Sequence, residues 1–238
     1  EEAIAHLNQC GPLAGVLIES MLSCAGQIPL PSGYLPTLAK EIRDKGGLLI
    51  ADEVQVGFGR TGSNMWAFQD SKVVPDIVVM GKPMGNGHPM AAVFTTNAIA
   101  SSFGGMEFFS TFGGNPVSCA IGMAVLDVIE EEELVTKARL LGARMISGLE
   151  SLKDDYELIG DIRGKGLFLG VELVRNRVSL EPAPIEATML VDNMRDMGVL
   201  LSTDGPLHNV IKIKPPMVLI ENDIDETLSK LDFCLASL

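Results

Sequence analysis

Two residues that could do chemistry each follow a short apolar run in the sequence. Asp52 follows the run Leu48–Ala51, and Lys82 follows the run Ile77–Gly81. Short unbroken apolar runs beside turn residues are typical of strands in a buried, mostly parallel sheet. Because ligands of open α/β sheets bind beyond the carboxyl ends of the strands, we expect the carboxylate and the amine to meet in one crevice.

An acid and an amine at one sheet edge meet two requirements of pyridoxal 5'-phosphate. This cofactor is held through a lysine amine, and a carboxylate keeps its pyridine nitrogen protonated so that the ring can accept electrons. Lys82 and Asp52 have the residue types for these two roles. A salt bridge between two strand ends would use the same residue types, so the pair alone leaves both interpretations open.

The residues around this pair resemble the signature of the class III aminotransferases. The matching segments are Asp52–Gly62, Pro75–Val78, Gly81–Gly87 and Arg163–Leu173. The resemblance extends from about Leu13 to the carboxyl end, and it corresponds to the later half of an intact family chain. It implies a pyridoxal phosphate-dependent enzyme of the fold type I class.

The resemblance also implies an α/β fold with two domains. Residues 1–130 would form the C-terminal part of the cofactor-binding large domain, with a mostly parallel sheet. Residues 131–238, in which short strands and helices alternate, would form a small α+β C-terminal domain.

Roles in cofactor binding follow from the resemblance, position by position. Asp52 matches the partner of the pyridine nitrogen, and Lys82 matches the Schiff-base lysine. Val54 matches the residue packed under the ring, and Gln55 matches the contact to the ring hydroxyl. Thr111 matches a threonine that reaches the cofactor phosphate of the neighbouring subunit, which implies a homodimer with shared active sites.

Three further residues are candidates for substrate binding. The resemblance places Glu19 on the substrate side of the crevice, although a hydrogen-bonded strand-end carboxylate is an equally simple interpretation. His88 lies in the turn after Lys82, where a structural role is the alternative to a substrate contact. Lys212 occupies the place of an arginine that grips a carboxylate in ordinary class III transaminases, and lysine cannot reproduce that two-pronged contact.

Within the family, three segments look most like the phospho-lyase branch, whose members act on O-phosphoethanolamine or 5-phosphohydroxylysine. These segments are Gly81–Pro89, Ser202–Pro206 and Ile211–Met217. The favoured function is therefore elimination of phosphate and ammonia from a small phosphorylated amine. Two alternatives remain, a conventional transaminase that uses a 2-oxo acid and a truncated fragment without catalytic activity. We expect this chain alone to be inactive, because it has no counterpart of the family's glycine-rich phosphate loop.

Composition argues against several other classes of protein. The net charge of −13 disfavours a nucleic acid or an anionic membrane as partner. The four cysteines and three histidines form no metal-binding or disulfide pattern, so we expect no metal and a reducing compartment, either the cytoplasm or one such as the mitochondrial matrix. No apolar segment approaches the ~20 residues that span a bilayer. The glycines of Gly57–Gly62 match a dinucleotide motif, but they do not open a helix directly after a strand.

Overall fold

The computed structural model describes residues 2–238, which form two units that are treated separately below. Unit 1 contains the chain up to Ser20, Leu30–Gly59 and Asn64–Glu133. Unit 2 contains Met21–Pro29, Arg60–Ser63 and Leu134–Leu238. The predicted domain limits, 1–130 and 131–238, stay a prediction, and Glu1 lies outside the described residues.

Helices and strands alternate through both units. The strands are β1 (Gly15–Glu19), β2 (Met21–Leu22), β3 (Ile28–Pro29), β4 (Leu48–Asp52), β5 (Ile77–Met80), β6 (Ala92–Thr95), β7 (Ile159–Lys165), β8 (Phe168–Asn176), β9 (Glu181–Pro182), β10 (Ser202–Asp204) and β11 (Val210–Ile213). The α-helices are α1 (Glu2–Gln9), α2 (Tyr34–Asp44), α3 (Asn97–Phe103), α4 (Pro116–Glu131), α5 (Leu134–Asp155), α6 (Pro184–Asp196) and α7 (Glu221–Leu235). Two short 3-10 helices cover Ala67–Ser71 and Lys82–Gly85. Within residues 2–238, no helix is long and apolar enough to cross a membrane.

The sheet of unit 1 has the strand order β1-β4-β5-β6. Strands β1, β4 and β5 run parallel, and β6 returns antiparallel to β5. In this register Glu19 lies opposite Asp52, and Asp52 lies opposite Val79. The prediction of a mostly parallel sheet is confirmed, and the carboxyl ends of its three parallel strands lie at one edge.

Helix α2 covers one face of this sheet. Its residues Leu35, Leu38, Ala39 and Ile42 recur at helical spacing, are buried, and belong to one core with Leu49 of β4. After the helix, Gly46 adopts φ +75°, a left-handed conformation that favours glycine and turns the chain towards β4. Apolar residues at this spacing are typical of a helix that packs one face against a sheet.

Unbroken apolar runs predict buried strands, but part of the unit 1 sheet is exposed. Val16 and Ile18 of β1 pack against the α2 core, whereas Leu17 between them is 62% exposed. On β6, Val93 is 63% exposed and Phe94 is 56% exposed. Because successive side chains of a strand point to opposite faces, an unbroken apolar run does not reveal which faces are covered.

Unit 2 is built on an antiparallel sheet with the order β10-β11-β8-β7, and β9 pairs with β8. The short strands β2 and β3 pair with each other. One face of the larger sheet, which includes Leu169, Val171 and Ile211, shares a core with α5, α6 and α7. The α+β architecture predicted for the later part of the chain is confirmed.

Helix α5 shows how the sequence encodes this core. Its residues at steps of three and four fall on one side and are all buried, namely Leu134, Ala138, Leu141, Met145, Leu149 and Leu152. They match the apolar stripe expected of a helix that packs one face against a sheet. The stripe therefore fixes the orientation of α5 within unit 2.

Candidate active site

The carboxyl ends of β1, β4 and β5 bring three predicted site residues to one edge of the unit 1 sheet. Glu19 ends β1 and Asp52 ends β4, directly opposite each other. Strand β5 ends at Met80, and Lys82 follows after Gly81. The sequence prediction that the acid and the amine lie at the same edge is confirmed by this register.

Asp52 has one carboxylate oxygen held by the protein and one available to a ligand. The Val54 N–H donates to Oδ1 at 2.9 Å, which orients the carboxylate in the turn after β4. Within residues 2–238, no group donates to Oδ2, and the side chain is half-buried. An oriented carboxylate with a free oxygen can accept a hydrogen bond from a protonated ring nitrogen.

Lys82 is exposed and begins the 3-10 helix between β5 and β6. Its φ of +38° lies in the left-handed region, which costs a residue other than glycine roughly 1–3 kcal/mol. Strand β6 continues directly from this turn, with Ala92 paired to Met80. Lys82 therefore lies at the neck of the β5–β6 hairpin, and strained backbone of this kind is concentrated at functional positions.

Val54 lies beside the turn that carries Lys82. A Cβ built on Gly81 would lie 3.9 Å from Val54 Cγ2, so the two segments are in van der Waals reach. Gln55 follows in the same turn and is half-buried, and the next residue, Val56, is buried and anchors the turn. The structure therefore brings Asp52, Val54 and the Lys82 turn together.

Glu53 is a residue of this region that the sequence analysis did not assign. It is fully buried, and burial raises the pKa of its carboxyl above the ordinary value of glutamate. Ser20 Oγ–H donates to Oε1 at 2.5 Å. The sequence does show an acidic residue directly after a buried strand, which could have indicated a buried carboxyl. It does not show which of the two consecutive acids, Asp52 or Glu53, points inward.

Two further candidates of unit 1, His88 and Thr111, lie near the start of α4. Asn115 caps the helix by accepting from the Ser118 N–H at 2.9 Å, and the proline that follows it is typical of a first helical position. His88 is half-buried, with Nε2 2.7 Å from Ser118 Oγ. Thr111 is exposed in the segment before this helix. His88 thus has a protein partner, and Thr111 is accessible.

Lys212 lies in β11 of unit 2, where a carboxylate already accompanies it. Its Nζ is 2.8 Å from Asp204 Oδ2, and both side chains are largely buried. Gln27 Nε2 donates to the same oxygen at 2.7 Å, while Gln27 Oε1 is buried without a hydrogen-bond partner in the described chain. The sequence alone does not reveal this ion pair, because Asp204 and Lys212 meet through the antiparallel β10–β11 pairing.

The residue types at the unit 1 edge fit pyridoxal phosphate. An oriented carboxylate, an exposed amine and an apolar side chain beside the amine's turn are the groups that this cofactor uses. Within residues 2–238, no group of three or more histidine, cysteine, aspartate or glutamate side chains could hold a metal ion.

Comparison with known proteins gives the same family for the whole described chain. The class III aminotransferase family profile matches residues 2–235. The chain is 50% identical over 228 residues to the alanine–glyoxylate aminotransferase 2-like protein of Drosophila melanogaster, covering 94% of this chain and 46% of that protein. It is 45% identical over 229 residues to ethanolamine-phosphate phospho-lyase homolog 1 of Caenorhabditis elegans, covering 94% of this chain and 49% of that protein.

Among solved structures, a phospholyase from Arthrobacter in complex with phosphoethanolamine superimposes with a TM-score of 0.95. It is 42% identical, and the match covers 100% of this chain and 58% of that chain. The chain thus spans about half the length of the curated relatives it matches. On this profile, these relatives and this fold, the chain belongs to the class III aminotransferases, a family of pyridoxal phosphate-dependent enzymes.

Proposed function

We propose that this chain is part of a phospho-lyase that eliminates phosphate and ammonia from a small phosphorylated amine such as O-phosphoethanolamine. The observation that carries the proposal is the similarity over the whole chain to a phospholyase solved with phosphoethanolamine. The Caenorhabditis elegans relative, named as a phospho-lyase homolog, supports it as well. The relatives named as alanine–glyoxylate aminotransferases favour a second candidate, a transaminase.

Four residues of unit 1 would hold pyridoxal phosphate. Lys82 Nζ would attach to it covalently, and Asp52 Oδ2 would accept a hydrogen bond from its ring nitrogen and so keep that nitrogen protonated. Val54 would pack against the ring, and Gln55 would contact the ring hydroxyl. When bound, the cofactor supplies an electron sink for the carbon that carries the amine.

A fifth contact, from Thr111 to the cofactor phosphate of a neighbouring subunit, requires a homodimer. Aromatic side chains around Thr111 are strongly exposed, with Phe109 at 83% and Phe112 at 81%. Clustered exposed apolar residues mark interaction sites in soluble proteins, which supports an interface here. We propose a homodimer with shared active sites on these two grounds.

Lys82 would act as the base, and the group on the adjacent carbon would decide the outcome. Once its amine removes a proton from the carbon that bears the substrate amine, a phosphate on the next carbon can leave with its bonding electrons. Water then completes the reaction, so that O-phosphoethanolamine and water give acetaldehyde, ammonia and inorganic phosphate. A transaminase would instead return the proton elsewhere and pass the amine to a 2-oxo acid.

The substrate phosphate would need a cation, and Lys212 is our choice. Its ammonium has three N–H donors and uses one on Asp204 at 2.8 Å, so others can bind a phosphate oxygen. Lysine acts on phosphate as a point charge and does not need the planar geometry by which arginine recognises a carboxylate. His88 is a weaker candidate, because an imidazole has at most two N–H donors and Nε2 already lies 2.7 Å from Ser118 Oγ. Glu19 carries a carboxylate and cannot supply the cation, so we propose it only for a contact with another part of the substrate.

The decisive experiment supplies the protein at its full length with pyridoxal phosphate and O-phosphoethanolamine, without any 2-oxo acid. We expect equal amounts of inorganic phosphate and acetaldehyde, and a Lys82→Ala variant should release neither. Turnover that begins only when a 2-oxo acid is added would replace the lyase by the transaminase. We also propose a reducing compartment, which fractionation of cells that express the protein would test.

A further inference from the structure

Glu53 is a fully buried acid that the proposed reaction does not use. Within residues 2–238, no lysine or arginine pairs with it, and its pKa is raised by burial and by the charge of Asp52. A buried carboxyl without a cationic partner is costly to ionise. The hydrogen bonds of Glu53 therefore indicate its role in the protein.

The side chain of Glu53 joins two segments that are distant in sequence. Oε1 accepts from Ser20 Oγ–H at 2.5 Å and from the Phe68 N–H at 2.9 Å. Oε2 accepts from the Ala67 N–H at 2.8 Å. One carboxyl thereby links the residue after β1 to the first amides of the 3-10 helix Ala67–Ser71.

The backbone of Glu53 adds a third segment. Its N–H donates to the Val79 carbonyl of β5 at 2.8 Å. Ser20 follows β1, Glu53 follows Asp52 at the end of β4, and β5 leads to Lys82 within two residues of its end. A single residue is thus hydrogen-bonded to the carboxyl ends of both strands that flank β4.

We propose that Glu53 is a positioning residue of the cofactor site, which holds the three strand ends so that the Asp52 carboxylate and the Lys82 turn keep their places. The inference rests on the proposed function only in that Asp52 and Lys82 serve the cofactor, whichever reaction follows. It has a physical basis in the sensitivity of catalytic geometry, since a displacement of about 1 Å can cost roughly 100-fold in rate.

The test uses the protein at its full length with a Glu53→Gln substitution. Glutamine has the same length, but its NH₂ group replaces one carboxyl oxygen and cannot accept the hydrogen bond that a backbone N–H donates there. We expect the Ala67 and Phe68 amides of the cofactor-free variant to exchange hydrogen faster. We also expect pyridoxal phosphate to bind more weakly and kcat to fall roughly 10- to 100-fold, with little change in KM for the amine.

Two further variants separate positioning from general stability. Glu186→Gln removes another hydrogen-bonded glutamate, the partner of Arg175 in unit 2, and should leave cofactor affinity unchanged. Leu190→Ala opens the core of unit 2 and supplies a variant of lowered melting temperature without a change at this edge. Ser20→Ala removes only one donor, so it should show a smaller effect that does not add to that of Glu53→Gln.

Unchanged amide exchange and cofactor affinity in Glu53→Gln would overturn the proposal. The proposal would also be overturned if Glu53→Gln and Leu190→Ala had similar melting temperatures and lost the same cofactor affinity. That result would mean that Glu53 contributes only to stability. Cofactor affinity is measured without substrate. A failure of the phospho-lyase proposal would therefore leave this test intact, and the two outcomes remain distinguishable.

Discussion

Lys82 combines an exposed amine with a strained backbone, and this combination gives a direct prediction. In the protein at its full length, borohydride reduction of the cofactor complex should label Lys82 and leave Lys72 unlabelled. Lys72 is the matched control, because it is also exposed and also has a positive φ, +54°, but precedes β5 instead of following it. Peptide mapping reads the result, and a label on Lys72 would remove Lys82 from its proposed role.

The proposed role of Asp52 can be tested with a conservative substitution, because one of its two oxygens accepts a hydrogen bond from the backbone. In Asp52→Asn, Oδ1 can still accept from the Val54 N–H, so the turn should survive. The substitution removes the charge that we propose for contact with the pyridine nitrogen of the cofactor. We therefore expect kcat to fall roughly 100-fold or more while the covalent attachment of the cofactor remains. Steady-state kinetics with absorbance spectra of the bound cofactor would check this, and unchanged turnover would contradict the role of Asp52.

The raised pKa of Glu53 sets the direction of a stability change with pH. A group whose folded pKa lies above its unfolded value contributes most below the unfolded pKa and loses that contribution as pH rises through the folded pKa. The stability of the wild type relative to Glu53→Gln should therefore fall as pH rises from the ordinary range of glutamate. Urea unfolding of both proteins over a pH series measures this difference, and a difference independent of pH would show an ordinary pKa.

At the scale of single residues, the sequence predicts which residue types lie at the sheet edge. It does not predict the hydrogen-bond or ion-pair partners of their side chains. Asp52 and Lys82 could be placed at one edge because parallel strands share a polarity, and the register bears this out. The partners of Lys212 and Glu53 could not be foreseen. Asp204 reaches Lys212 through an antiparallel pairing, and Ser20 lies 33 residues before Glu53.

At the scale of elements, Asn115 gives a measurable contribution to α4. Its side chain accepts from the Ser118 N–H and donates to Ser118 Oγ, so Asn115→Ala removes the cap of a 16-residue helix. We expect the free energy of unfolding to fall by about 1 kcal/mol. Chemical denaturation measures the change. Thr96→Ala, at the cap of the exposed helix α3, is a control of the same kind that should cost less, because its hydrogen bond is 3.4 Å long.

Arg60 joins two loops of unit 2 by donating hydrogen bonds to their carbonyl groups. Burial lowers the pKa of its guanidinium to about 10, and Nη1 donates to Leu167 O at 3.1 Å and to Pro215 O at 2.7 Å. Replacing it with alanine leaves both carbonyls without this donor, and we expect a loss of about 2–3 kcal/mol in the free energy of unfolding. Calorimetry of Arg60→Ala beside Arg195→Ala, an exposed helical arginine, would show whether the loss is specific.

Long elements were predictable and short ones were not, for reasons of periodicity. Helices α2 and α5 repeat buried residues over several turns, which gives a clear pattern. Strands β2 and β3 have two residues each and carry no period. The sequence predicts a strand over Val199–Ser202, whereas β10 covers Ser202–Asp204 and shares only Ser202 with it. An apolar run indicates burial but does not show which backbone groups pair.

At the scale of the whole molecule, we expect the 238-residue chain by itself to bind pyridoxal phosphate weakly. The family's glycine-rich loop has no counterpart in it, and each hydrogen bond to a charged phosphate is worth roughly 1.5–3 kcal/mol. Titration of the purified chain with the cofactor should give no saturable absorbance change at equal concentrations. Saturation at one equivalent of cofactor would contradict this prediction, because it would show that the residues of this chain suffice for tight binding of pyridoxal phosphate.

The ion pair between Lys212 and Asp204 has a consequence for protein engineering. On the proposed substrate role of Lys212, a designer who wished to favour amino-acid substrates would replace it with arginine. Asp204 lies within 2.8 Å of the present ammonium, so the new guanidinium fork would close on this internal carboxylate before any substrate arrived. The exchange should succeed only when Asp204 is neutralised in the same protein, for example in Lys212→Arg/Asp204→Asn. If Lys212 binds the substrate as we propose, substrate preference depends on two residues that must change together.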